Sequence, residues 1–197
     1  MKDRFYSDSR NKEKVELNRS KGAGALYDWI KTILITFAIF AFIFLFVFRI
    51  VRVDGPSMNS TLENGDMVIL TDIFYTPRDG DIVVVSHAAE HEKPIIKRVI
   101  ATEGQTLKLD YENNRVIVNG VILDEDYINN GITFGSIYPD YEIPETIPKG
   151  KVFVMGDNRR ESKDSRDHRI GLINSEDIIG KAQVLMYPFG DRFGYLY

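Results

Sequence analysis

Hydrophobic positions fall into two regimes along the chain. In the first, "TILITFAIFAFIFLFVF" at residues 32–48 carries no charge. As a helix rising 1.5 Å per residue it spans roughly 26 Å, and the flanking "WIK" and "RIVRV" extend it to bilayer thickness. Lys31 and Arg49 are placed to snorkel outward, while Tyr27 and Trp29 suit an interface. A buried core helix is rarely so uniformly apolar. A cleaved leader has a shorter apolar stretch followed by an A-x-A-like site, which is missing here. The pattern predicts an uncleaved membrane anchor over 29–51. Lys2, Arg4, Arg10, Lys12, Lys14, Arg19, Lys21 and Lys31 precede the run, whereas only Arg49 and Arg52 closely follow it. Basic flanks stay in the cytoplasm. Residues 1–28 are therefore expected to be a loose cytoplasmic tail, and residues 52–197 to lie outside the cell membrane.

In the second regime, after residue 52, apolar positions come in short branched runs: "MVIL", "DIVVV", "IIKRVIA", "TLKLD", "RVIV", "KVFVM" and "AQVLMY". Gly, Pro, Asp and Asn punctuate them, as they do strands. In "RVIVNGVILDE", Asn119-Gly120 separates two apolar runs, which predicts a hairpin through a type I′ turn. Residues 125–150 contain Pro139, Pro144 and Pro148 and read as irregular. No stretch after residue 52 has helical periodicity over ten residues. The fold class expected is mainly β: an antiparallel, barrel-like domain over 52–197, with a β-rich subdomain inserted at about 105–150, behind one N-terminal transmembrane helix.

Composition narrows the chemistry. The 197 residues suffice for one substantial domain and an appendage. A net charge of −4 offers no basic face for nucleic acid. The chain has no cysteine, which excludes a disulfide framework, a thiol nucleophile and cysteine-ligated zinc.

Three segments hold candidate chemistry. Ser57 sits in "GPSMNSTL", close behind the apolar run, with no histidine near it in sequence. His87 and His91 form "HAAEH", which matches a zinc-peptidase pattern that requires a helix. Here the stretch follows a strand and meets Pro94, so it reads as a solvated turn. His168 lies in a charged loop and reads as a surface residue. A lysine is the other side chain able to take a hydroxyl proton, provided burial keeps it neutral near pH 7. Lys97 in "IIKRVI" shares a strand face with Ile95 and Val99. It either serves as such a base or snorkels from an edge strand. Arg98 points the other way and stays protonated. In "MGDNRRESKDSRDHR", Asp157, Asn158, Ser162 and Ser165 could orient a catalytic amine; the alternative is a solvated loop with weak surface ion pairs.

Together, "GPSMNSTL", "KRVIATEG" and "GDNRRESKDSR" resemble, in order and spacing, the motifs of bacterial type I signal peptidases, the Ser-Lys proteases that process exported preproteins. "VNGVILDEDYI" is similar to that family's second subdomain. The single anchor and short chain resemble its Gram-positive branch. The resemblance implies Ser57 as nucleophile, Lys97 as general base, Ser162 as the hydroxyl that orients the lysine, and Asp164 with Arg166 as a supporting ion pair. It implies an oxyanion hole at the Ser57 N–H. Gly55 stands where some members carry a second, serine donor. Ser60 and Gln105 replace the family's usual proline and acidic residue. Val53, Met58 and Ile96 are expected to line the substrate pocket. Signal peptides and a phospholipid membrane are the implied partners, with no metal or cofactor and no nucleic acid. Two rivals stand beside this reading: a membrane-anchored binding protein without catalysis, and a soluble Ser-Lys self-cleaving repressor. The anchor, and the lack of a helix-turn-helix segment, oppose the second.

Overall fold

The computed structural model describes residues 2–72, 75–87, 93–128 and 141–196, with side chains from residue 24 onward except that of residue 46. The chain forms two compact units, Met1–Phe46 and Val47–Tyr197.

The first unit is one helix, α1, over Lys2–Val47. Within it Gly24–Leu45 is long and apolar enough to cross a membrane. Its large apolar side chains, Leu26, Phe37 and Leu45 among them, are exposed. The helix corrects the expectation of a loose segment over 1–28. No proline occurs before Pro56, and residues 11–19 are mostly good helix formers, so nothing local stops the helix before its apolar part. The far boundary of the anchor is also corrected. Phe48–Arg52 leaves the helix as strand β1 and pairs with β2 over Met67–Thr71. Branched and aromatic residues serve a strand as readily as a membrane helix, and here the ladder to β2 decides between them.

The second unit is mainly antiparallel β. Further strands are β3 (Ile82–Val85), β4 (Ile95–Ala101), β5 (Leu107–Asp110), β6 (Arg115–Val118), β7 (Val121–Ile122), β8 (Lys151–Met155), β9 (Ile173–Asn174), β10 (Ile178–Tyr187) and β11 (Gly194–Tyr195). The large sheet runs β1-β2-β10-β3-β4-β8-β9, with β11 beside β10, and curls as a half-barrel. A second sheet, β5-β6-β7, lies in the stretch between β4 and β8, where the insertion is expected. Asn119 and Gly120 have φ of 51° and 78°, the positive values a type I′ turn needs. The Val118↔Val121 pair closes that hairpin.

Three buried clusters tie these parts together. Met58 and Leu62, from the loop between β1 and β2, pack with Val68, Leu70, Ile82, Val84 and Leu185 of the large sheet. Met58 is 1 % exposed, a burial worth about 2–3 kcal/mol. Val83, Val85, Val99, Val152 and Ile173 form a second cluster. In the third, Leu107, Val116 and Val118 of the small sheet pack on Ile100, Phe153 and Met155 of the large one. The inserted sheet is thereby fixed against β4 and β8, the two strands that carry or precede the candidate catalytic segments.

Candidate active site

Lys97 lies on β4, opposite Val83 of β3. It is only 3 % exposed, which rules out the snorkelling alternative. Pairing with β8 begins at Arg98↔Met155, so the Ile95–Lys97 end of β4 has a side with no strand partner among the described residues. The loop from β1 to β2 brings Ser57 to that side. Lys97 Nζ lies 2.7 Å from Ser57 Oγ and donates a second hydrogen bond to the Ile96 carbonyl at 2.9 Å. Burial lowers the Lys97 pKa to about 8; the carboxylates of Asp164 and Asp157 oppose that fall without cancelling it. The arrangement is a hydroxyl held on an amine that loses its proton far more readily than an exposed lysine.

The Ser57 loop is shaped by local rules. Gly55 has φ of +95°, a conformation that a side chain disfavours. Its N–H donates to Asn64 Oδ1 at 3.0 Å, so it is already engaged. The loop base closes through Val53 N–H to Asp66 O and Gly65 N–H to Val53 O. The Ser57 N–H donates to no described residue. Ser60 Oγ reaches the Tyr127 carbonyl at 3.5 Å, which ties the loop to the segment after β7.

The charged segment after β8 proves to be buried scaffolding rather than a solvated loop. Asp157, Arg159, Asp164, Ser165, Arg166 and Asp167 are all buried. Asn158 donates from its N–H to the Ser57 carbonyl (3.0 Å) and from Nδ2 to the Pro56 carbonyl (3.1 Å). Asp157 accepts Arg98 Nε and Nη2 at 2.9 and 2.8 Å and Thr61 Oγ1 at 2.5 Å. Ser165 Oγ accepts from the Val154 N–H. Asp157, Asn158 and Ser165 therefore serve the loop and the strands, and none of them bonds to the lysine amine. Asp164 and Arg166 form the expected ion pair, Nε to Oδ1 and Nη2 to Oδ2, both at 2.7 Å. Burial of Asp164 works against its charge, but Arg166, the Gly156 N–H and the Ser162 hydroxyl outweigh it and hold the pKa below the ordinary carboxylate value.

Ser162 departs from expectation. It reaches the site, but its buried Oγ lies against Asp164, whose charge it helps to hold, and Lys97 donates to the Ile96 carbonyl instead. Val53, Met58 and Ile96 line one cavity with Ser57 and Lys97, of about 540 Å³, between the 51–58 segment and residues 93–97 at the entry to β4. His87 is exposed and pairs with Ser86 Oγ, His168 is exposed beside Asp167, and His91 lies outside the described residues. Among the described residues, no three His, Asp or Glu side chains are grouped to hold a metal ion.

Two structural players were not visible in sequence reasoning. Arg98, set aside as unable to act as a base, forks onto Asp157 and lies 4.0 Å from the Tyr127 ring centroid, joining three segments. Gly156 is the other: a Cβ there would meet Ser57 O at 2.4 Å and Ser162 Oγ at 2.3 Å. A glycine directly after a strand, without positive φ, signals such a close approach.

The model of the signal peptidase, peptidase S26, family matches residues 26–187. The chain belongs to that family. It is 34 % identical over 182 residues to signal peptidase IB of Staphylococcus aureus, covering 84 % of this chain and 92 % of that protein. It is 34 % identical over 171 residues to signal peptidase I P of Bacillus subtilis subsp. natto, covering 83 % and 90 %. A solved signal peptidase I of Enterococcus faecalis is 26 % identical, with a TM-score of 0.45, covering 54 % of this chain and 97 % of that one. Membership of peptidase S26 makes the chain a serine peptidase.

Proposed function

We propose that this chain is a membrane-anchored serine endopeptidase that removes signal peptides from exported preproteins at A-x-A-like sites through a Ser57-Lys97 dyad. The observation that carries the reading is the 2.7 Å approach of Lys97 Nζ to Ser57 Oγ, with the lysine 3 % exposed. In the neutral state Lys97 accepts the Ser57 hydroxyl proton as the oxygen attacks the scissile carbonyl. The oxyanion forms against the Ser57 N–H, a donor worth about 3 kcal/mol in the transition state. The resulting Lys97 ammonium returns its proton to the departing amine, leaving an acyl-enzyme. The same lysine then draws a proton from the water that hydrolyses the ester. No histidine is needed, because burial brings the amine into the working pH range.

The substrate reading follows from the groove. The side of Ile95–Lys97 that has no strand partner among the described residues offers main-chain groups to an extended peptide, and Val53 and Ile96 give apolar walls suited to small side chains. Gly24–Leu45 supplies the anchor, with the N-terminus cytoplasmic and the catalytic unit outside. Holding enzyme and membrane-borne substrate on one surface raises their effective concentration.

The deciding experiment is cleavage of a purified preprotein by wild type, Ser57→Ala and Lys97→Ala side by side. The expected result is product with wild type only. Product from Ser57→Ala would remove the serine mechanism.

A further inference from the structure

The loop that carries Ser57 is gripped from two directions. One is the segment after β8, described above. The other is the C-terminal turn between β10 and β11, outside the 26–187 stretch that the family model matches. From that turn Arg192 Nη2 donates to Asp66 Oδ2 at 2.7 Å and Nη1 to Asp66 Oδ1 at 3.1 Å, while Nη1 lies 3.0 Å from Glu63 Oε2. Asp66 is 3 % exposed and also accepts the Glu63 N–H at 2.8 Å. Its carbonyl takes the Val53 N–H that closes the loop base. One guanidinium thus fixes both carboxylates at the exit of the nucleophile loop, through the fork geometry that suits arginine.

Arg192 is itself held in place. The Phe193 N–H closes the turn onto the Gly190 carbonyl, and the Phe189 and Phe193 rings lie 6.3 Å apart. Gly194 and Tyr195 pair with β10. The Leu196 N–H donates to Gln183 O, and Leu196 packs against the cluster that contains Met58.

We propose that Arg192 is a positioning residue that holds the nucleophile loop in register with Lys97. It touches no reacting atom. Its effect runs through Asp66 and Glu63 to the base of the loop, and a displacement of about 1 Å at a reacting group can cost up to a hundredfold in rate. Its kinetic consequence rests on Ser57 acting in preprotein cleavage; its effect on loop order does not.

The test compares full-length wild type, Arg192→Gln and Arg192→Lys in two measurements. In preprotein cleavage, Arg192→Gln is expected to lower kcat about tenfold with KM changed less than about twofold, and Arg192→Lys to recover part of the loss. In amide hydrogen exchange, Arg192→Gln is expected to speed residues 57–66 about tenfold while β4 keeps its wild-type rate. Wild-type kcat together with wild-type exchange in Arg192→Gln overturns the positioning role. Equal acceleration of loop and β4 also overturns it, since the arginine would then support only the fold as a whole. If wild type itself fails to cleave, the preprotein reading falls, and the exchange data alone decide the role of Arg192.

Discussion

Gly156 and Ser57 approach so closely that a methyl group on the glycine would sit 2.4 Å from the serine carbonyl oxygen. The same carbonyl accepts the Asn158 N–H, so the obstruction falls on a contact already in use. That oxygen belongs to the backbone and cannot swing aside as the end of a long side chain would. Gly156→Ala should therefore push the Ser57 loop away from Lys97. The expected loss is at least about tenfold in kcat/KM, with about 1–3 kcal/mol of stability from overpacking. Steady-state cleavage and chemical denaturation measure both, and an alanine variant with wild-type turnover would show that the loop does not need this contact.

Lys97 makes activity and stability depend on pH with the same sign. In the proposed role of base it must be neutral, so kcat/KM should rise about tenfold per pH unit below its pKa and level off above about 8. For folding, the unfolded lysine keeps its proton up to 10.5 while the folded one gives it up at about 8. Between those values the unfolded state binds more protons, so stability rises with pH, by a total on the order of 3 kcal/mol. Below pH 8 both states are protonated and the cost of burying the charge is fully present. Lys97→Met should lack this rise, and the difference between its denaturation midpoints and those of wild type from pH 7 to 10 reads it directly. Parallel curves for the two proteins would mean that the lysine is not desolvated.

Arg98 and Asp157 form a forked pair with both side chains almost wholly buried. Removing one partner strands the other charge away from water. Arg98→Met should thus cost about 3–5 kcal/mol, while the double variant Arg98→Met with Asp157→Leu should recover much of that loss. A denaturation series on the three proteins gives the coupling. Single and double variants of equal stability would mean that water reaches the pair.

Much of this was legible because it is local. Branched runs marked most strands, and Asn119-Gly120 fixed a hairpin register through its own backbone preference. Lys97 stood out because apolar residues flank it on its own face. What stayed hidden depends on pairing at a distance. Phe48, Ile50 and Val51 flank the membrane run with further apolar side chains, and only the ladder to β2 assigns them to the sheet. The charges of residues 157–167 looked solvated because the partner of Asp157 is Arg98 on another strand, and no local pattern reveals a partner 59 positions away. The C-terminal turn carried no chemical signal either, since Arg192 gains its meaning from Asp66, 126 positions earlier.

Ser162 separates stability from turnover. Its hydroxyl is buried beside the Asp164 carboxylate, whose charge it helps to hold, so replacing it by alanine should cost about 1–2 kcal/mol. If the hydroxyl also engages the amine as Lys97 gains its proton, the loss of rate is a separate effect. Ser162→Ala is then expected to stay folded, melting a few degrees below wild type, and yet to cleave more slowly, with the deficit in kcat rather than KM. Calorimetry and steady-state kinetics on one preparation measure the two together. A variant that melts lower but turns over at the wild-type rate would remove Ser162 from the reaction.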